Sequence, residues 1–419
     1  MKPASLPGRA PRSRFRSGLG RAVLACGGVL LAVALAEGVL RVAEPLLTPP
    51  PKVPTVLSGW RVLCVGDSFV YGLGSEDDRG MCEYLQVLLD ERWGPGVASV
   101  HNQGIPGINS SQAHDELVGW LEAVHPQVLV LLVGHNNSWN FNDLHLDQVV
   151  GGQGLGVARA MGRLRLVRLL RLVTRYDERQ DRPLAEAEDD PELRAWSKTA
   201  RKVTKEQWSG QEIQFLRDRL REHPGDVYSM LRLALALDGT GQPAEAVVWR
   251  QWAQEVDPQA VARLQADQKR IEAFHQERAG QGQDDHLVEH PSADAALYRA
   301  ITLGGSEDGL VDQQRLILDA VLRSDLAQMA ATAQQQGAAV LISGYPQPKG
   351  ANEALEQTAR ELGLGYVDQQ AGFAERLAGQ DDLSPWFVLD GHCTSAGYRI
   401  MAENLLPWVL PLREGDGSN

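Results

Sequence analysis

Val62-Leu63-Cys64-Val65-Gly66-Asp67-Ser68-Phe69 is the stretch on which the reading of this chain turns. An apolar run of strand length ends in Gly-Asp-Ser, and a looser segment with Tyr71, Gly72 and Gly74 follows. The run predicts a buried strand. Gly66 lets the chain turn sharply at its end. A serine placed there is held rigidly by the strand, and a following helix aims free N–H groups at it, which suits a nucleophile. Gly-Asp-Ser alone is common in turns, so its weight depends on what the rest of the chain supplies.

Three later segments supply partners. Val100 to Gly107 (VHNQGIPG) reads as a glycine-rich loop after a short strand. Gln127 to Val133 is an unbroken apolar run, the pattern of a buried parallel strand, and it ends in Gly134-His135-Asn136-Asn137. Val388 to Tyr398 (VLDGHCTSAGY) lies near the C-terminus. Serine, glycine, asparagine and histidine thus recur at predicted strand ends, in that order. In an open α/β sheet the carboxyl ends of the strands form the ligand crevice.

With these residues the chain resembles the SGNH hydrolases, also called the GDSL esterase/lipase superfamily, over roughly residues 60–145 and 310–410. The resemblance implies a role for each block. Ser68 matches the nucleophilic serine. Gly107, the second glycine of Asn102-x-Gly104-x-x-Gly107, matches the oxyanion glycine, and Asn136 the oxyanion asparagine. His392 matches the catalytic histidine, with Asp390 as its orienting acid. The oxyanion hole implied is the Ser68 and Gly107 N–H groups with the Asn136 amide. Three positions depart from the usual pattern. Asn137 stands where aspartate is usual, Cys393 where proline is frequent, and Asp390 precedes the histidine by two residues rather than three.

Composition narrows the setting. The chain has 419 residues, enough for two or three modules, and 43% hydrophobic residues, enough for a sizeable core. A net charge of −13 argues against nucleic acid as a partner. Residues 1–21 run against that sign, with Lys2, Arg9, Arg12, Arg14, Arg16 and Arg21 and no acid, and read as a cytoplasmic basic tail. Residues 22–41 follow as an apolar segment broken by Glu37. A basic flank before an apolar run puts the N-terminus in the cytoplasm and the remainder outside. An uncleaved single-pass membrane anchor is one reading, since about 20 residues can span a bilayer. A signal peptide cleaved after Ala34-Leu35-Ala36 is the other. Both place the folded part on the periplasmic side. Residues 42–59, with Pro49, Pro50, Pro51 and Pro54, read as a stiff extended linker.

With only 4 cysteines the chain is not a disulfide scaffold. Cys64 reads as a core residue of the first strand, and Cys393 as a small loop residue rather than a nucleophile.

Residues 151–305 change character, being rich in Arg, Gln, Glu and Ala with helical periodicity. Within them, 220–258 resembles a tetratricopeptide unit. It has one amphipathic helix from Val227 to Leu237, a turn at Gly239 to Pro243, and a second helix from Ala244 to Val256. Such helix pairs stack on neighbours and can bind a protein partner. Arg159 to Arg175 alternates arginine with leucine and valine. It reads as an amphipathic helix that either packs on the core or lies on an anionic bilayer. Gly151 to Gly156 lacks the strand and lysine of a phosphate loop and reads as a hinge. His286 to His290 has zinc-peptidase spacing but sits in a Gln/Asp/Gly-rich stretch cut by Pro291, which argues against a metal-binding helix.

The α/β pattern resumes with a helix over Asp312–Gln336, a strand over Ala338–Ser343, a helix over Asn352–Leu362, a short strand over Gly365–Asp368 and a closing helix over Ser395–Trp408. The expected architecture is a three-layer α/β/α sandwich with a parallel, flavodoxin-like sheet. Its parts are 60–150 and 306–413, interrupted by the all-α insertion 151–305. The expected activity is that of an extracytoplasmic serine esterase acting on an O-acyl ester through an acyl-enzyme, with no cofactor or metal. An O-acyltransferase on a cell-surface glycan, and a non-catalytic assembly protein carrying the repeat, are the alternatives.

Overall fold

The computed structural model describes residues 59–150 (except 139 and 141–143), 210–280 (except 211), 310–414 (except 349), and positions 28 and 35–39. Apart from those last few positions, they belong to one compact unit made of Pro54–Leu155 and Leu184–Asn419. The basic tail, most of the apolar segment 22–41, the linker, Arg159–Arg175, Gly151–Gly156 and His286–His290 lie outside the described residues. Among the described residues no helix is long and apolar enough to cross a membrane.

Five strands form a single parallel sheet: β1 (Trp60–Gly66), β2 (Ala98–Gly104), β3 (Val128–Leu132), β4 (Ala339–Ser343) and β5 (Gly365–Val367). They lie in the order β2-β1-β3-β4-β5. Every residue of β3 is buried, which is why its sequence is continuously apolar. The order reverses direction between β1 and β3, and the crevice of a doubly wound sheet opens at that switch. Gly66 ends β1 at this point. A Cβ there would meet the Leu132 carbonyl oxygen at 2.0 Å, so any side chain would pry β1 from β3.

The reversal also sorts the helices. Right-handed crossovers that run in opposite directions along a sheet cover opposite faces. One layer holds α2 (Met81–Trp93) against α11 (Ser395–Glu414), which also contacts α10 (Gln369–Arg376). The other holds α3 (Ser110–Val124), α8 (Leu310–Gln335) and α9 (Ala351–Leu362) in contact in that order. Between β1 and α2 lies α1, a single turn over Ser68–Tyr71, and α4 (Asp147–Val150) precedes the insertion. The chain is thus a three-layer α/β/α sandwich.

Two expectations need correction. Residues 100–104 belong to β2 itself, so the loop carrying Gly107 starts at Ile105. The closing helix does not stop at Trp408 but runs to Glu414 through Pro407 and Pro411. Both prolines are exposed, while Leu405 and Val409 are buried on the opposite face toward α2. That packing offsets the ~3 kcal/mol that an interior proline costs.

The insertion lies between β3 and α8. Its described part has a helical segment over 212–222, then α5 (Val227–Gly239), α6 (Pro243–Val256) and α7 (Pro258–Gly280). Pro258, the last residue of the unit read from the sequence, opens a further 23-residue helix, a position where its missing N–H costs nothing.

A buried polar network staples α3 to α8. The Asp325 carboxylate accepts from Ser110 Oγ at 2.6 Å and Ser111 Oγ at 2.7 Å, and lies 2.6 Å from His145 Nδ1. His145 Nε2 in turn lies 3.3 Å from Asp115 Oδ1, which is 3.1 Å from His114 Nδ1. The ligating atoms of His114, Asp115 and His145 therefore cluster within 4.8 Å, and these contacts account for them as an ion-pair network.

Candidate functional site

Ser68 stands two residues beyond β1, as the first residue of α1. Asp67 caps this turn, its Oδ1 accepting from Phe69 N at 3.0 Å. The other oxygen, Oδ2, accepts from the Tyr345 hydroxyl at 2.6 Å, and the same hydroxyl accepts from His135 N at 3.1 Å. Tyr345 follows the end of β4 and is wholly buried; burial first, and then the Asp67 charge, push its phenol well above its ordinary range. One side chain from the loop after β4 thus ties the turn after β1 to the turn after β3.

His392 arrives from the other end of the chain. Its Nε2 lies 2.7 Å from Ser68 Oγ, across 324 residues of sequence. Its ring is tilted over Phe69, with centroids 4.8 Å apart. Two further links lock the loops that carry the pair. The Tyr398 hydroxyl donates to the Leu73 carbonyl at 2.7 Å, and Ser395 N donates to Glu76 Oε2 at 2.7 Å. Ser68 is buried, at 8% exposure.

Asp390 Oδ1 lies 2.8 Å from His392 Nδ1 and also accepts from His392 N at 3.0 Å. The ring contact is close but off the hydrogen-bond direction, so Nδ1 has no aligned acceptor. Burial works against the Asp390 charge. His392, and behind it Arg232, outweigh burial and hold the carboxyl at about 2.

The loop 105–109 follows β2, with Ile105 N donating to the Gly66 carbonyl at 2.9 Å, and is held by asparagines. Asn136 Nδ2 donates to the Ile108 carbonyl at 3.0 Å, and Asn140 Nδ2 to the Gly107 carbonyl at 2.7 Å. Asn136 lies in a 3-10 turn (His135–Ser138) directly after β3 and is buried. Gly107 and Asn136 are therefore neighbours at the switch point, on the strand ends flanking Ser68.

Asn137, the departure from the usual aspartate, has a physical reason. Its Oδ1 accepts from Ser110 N at 2.9 Å and its Nδ2 donates to Ser110 Oγ at 2.8 Å. The Ser110 hydroxyl spends its own proton on Asp325. Residue 137 must therefore donate as well as accept, and a carboxylate cannot.

Of the five residues singled out in the sequence, the structure brings Ser68, His392 and Asp390 together, and it places Gly107 and Asn136 in the turns after β2 and β3, the strands on either side of β1. Sequence reading missed Tyr345, Asn140, Phe69 and Arg232, whose Nη1 donates to the Leu389 carbonyl at 2.6 Å. Tyr345 alone had a signal, since it follows a predicted strand as the other candidates do. Asn140 and Phe69 lie beside known blocks without a pattern of their own. Arg232 sits in a helix that reads as ordinary amphipathic surface.

Comparison with curated proteins returned no match. A solved structure of an α/β hydrolase enzyme from the metagenome of Lake Arreo, Spain, aligns with a TM-score of 0.37 at 10% sequence identity, over 84% of this chain and 94% of that one. That likeness is too loose to bear on function. Residues 64–232 match the model of the GDSL-like Lipase/Acylhydrolase family. The matched stretch contains Ser68, Gly107 and Asn136 and stops short of His392. Over that stretch the chain is thus similar to a family of acylhydrolases, and the fold itself brings the missing histidine to the serine.

Proposed function

We propose that the protein is a serine esterase that cleaves O-acyl esters through an acyl-enzyme. The observation that carries this reading is the 2.7 Å contact of Ser68 Oγ with His392 Nε2 at the switch point of the sheet. With the ring proton on Nδ1 toward Asp390, Nε2 accepts the Ser68 proton. Ser68 Oγ then bonds to the ester carbonyl carbon, and the carbonyl electron pair moves onto oxygen. The Ser68 and Gly107 N–H groups and the Asn136 amide stabilise that oxyanion, and loss of one such donor typically costs ~10²–10³ in rate. The C–O bond to the leaving alkoxide breaks, and the His392 proton goes to the alkoxide. Water then attacks the acyl carbon and gives a proton to His392; the bond from that carbon to Ser68 Oγ breaks, His392 returns the proton to Oγ, and the acid is released.

A sugar hydroxyl in place of water would make the same site an O-acyltransferase. An activated acyl ester supplied with and without a glycan acceptor separates the two. For the protein in the cell we propose a periplasmic site tethered by residues 22–41, on the strength of the basic flank before the apolar run.

The direct test is labelling with a fluorophosphonate probe together with acyl-ester turnover. Ser68→Ala is expected to abolish both and leave the circular dichroism spectrum unchanged. Undiminished labelling of the variant would assign the chemistry to another nucleophile.

A further inference from the structure

The insertion is fastened to the site it interrupts. Asp226, the N-cap of α5, accepts from Leu383 N through Oδ1 at 3.2 Å, and the hydroxyl of Tyr228 in α5 accepts from Gln347 Nε2 at 2.7 Å. In α7, Arg263 Nη2 donates to Ser384 Oγ at 2.6 Å, and Arg270 Nη2 to the Gly74 carbonyl at 2.7 Å. These contacts reach the loop after Ser68, the loop after β4 and the segment that leads to His392.

A further contact of this kind is made by Arg232. It lies one turn after Tyr228, so both side chains leave the same face of α5. Its side chain is 18% exposed. Nη1 donates to the Leu389 carbonyl at 2.6 Å, while Nη2 pairs with Glu212 of the helical segment 212–222. Leu389 precedes Asp390 directly. It also occupies the place, three residues before the histidine, where the aspartate of the SGNH pattern commonly stands.

We propose that Arg232 is a positioning residue for the Asp390–His392 pair, fastening the Leu389 carbonyl while setting a positive charge behind the Asp390 carboxylate. The inference rests on the serine-esterase reading above. The need for such a residue follows from the shifted aspartate. From two residues away, Asp390 approaches Nδ1 closely but out of line, so its side chain by itself sets the ring orientation weakly. Pinning the preceding carbonyl fixes the peptide from which Asp390 projects. A planar guanidinium does this and holds Glu212 with its other nitrogen, whereas an ammonium has no such fork.

Asp390 is faced by the His392 ring, by Arg232, and by the phenols of Tyr228 and Tyr398, both pushed upward by burial. Glu212 faces Arg232 from the far side. Among these, Arg232 is the group that holds a fixed positive charge at every working pH.

The test uses the full chain with p-nitrophenyl acetate across pH. In Arg232→Met, kcat should fall ~10–10²-fold with KM little changed, the size of loss expected when a catalytic group is misplaced. The acid limb of kcat/KM should also move to higher pH, because the Asp390–His392 pair has lost a positive charge that opposes its protonation. Arg232→Lys should keep the limb near the parental position. A folded Arg232→Met with parental kcat and an unmoved limb overturns the proposal, as does a lower Tm with an unmoved limb. If Arg232→Met does not fold, Arg232→Gln and Arg232→Lys carry the test. Glutamine can keep the Leu389 contact without the charge, so its limb should move and that of lysine should not; coincident limbs overturn the proposal. Turnover and probe labelling that survive Ser68→Ala would overturn the esterase reading instead.

Discussion

Asp390 meets the imidazole of His392 at 2.8 Å across a single intervening residue, Gly391, whose φ is 93°. A left-handed residue folds the chain back on itself, so an aspartate two positions before the histidine still reaches Nδ1. The direction of approach is the part that suffers.

From this we expect Asp390→Asn to hurt less than His392→Ala. The histidine variant loses the base, and kcat should drop ~10³-fold or more. The asparagine variant loses a close but unaligned contact, and ~10–10²-fold is expected. Equal losses of kcat in the two variants would refute the ranking.

Gly391→Ala tests the turn itself. A Cβ in the left-handed region costs roughly 1–2 kcal/mol. Lower stability in urea melts should come with lower kcat, since the strain relaxes by moving His392 off Ser68. Parental kcat would show that Gly391 serves the loop and not the pair.

Asn137→Asp restores the more usual residue of the block and is expected to harm this protein. The carboxylate cannot donate to Ser110 Oγ, and it adds a negative charge to a network that already holds Asp325. A loss of about 2–3 kcal/mol is expected. Unchanged stability would mean that Ser110 turns its hydroxyl around freely.

Tyr345→Phe removes the donor to Asp67 and the acceptor for His135 N in a fully buried position. About 1–3 kcal/mol should be lost. Probe labelling should slow with it, because Asp67 caps the turn that presents Ser68. Labelling at the parental rate would limit Tyr345 to stability.

The His145 network predicts a pH dependence of stability. Burial by itself would lower the His145 pKa, but Asp115 and Asp325 raise it above the ordinary 6.5. A raised folded value means that the native state holds its proton longer than the unfolded chain. The contribution is therefore complete below pH ~6.5 and is lost as pH rises through the folded value. Tm should fall between pH 6 and 9, and Asp325→Asn should flatten the slope while removing about 3 kcal/mol at pH 6. Parallel Tm curves for parent and variant would remove this network from the pH response.

Much of the frame was legible in the chain because it is written in local patterns. A strand buried on both faces must be continuously apolar, so Val62–Val65 and Val128–Leu132 announced themselves. Ligand-binding groups on a doubly wound sheet gather at strand ends, so Ser68 and Asn136 stood out after such runs, while Gly107 was singled out by the resemblance. Helix pairs with a glycine-rich turn likewise marked Val227–Val256. The limits of that legibility were equally physical. Strand and loop alternatives for residues 100–104 share one composition, and Pro407 reads as a stop until the packing of Val409 is known.

What the sequence determined by itself was the parallel sheet, the order of the chemistry-bearing blocks along it and the presence of a helical insertion, since each depends on periodicity within a few residues. The tertiary structure alone decided the rest. It set His392 against Ser68 over 324 residues, gave Asn137 its need to donate, joined Asp67 to Tyr345, and brought Arg232 behind Asp390. Each of these contacts joins residues whose distance in sequence exceeds any local period, so only the packing of helices onto the sheet brings them within hydrogen-bonding range.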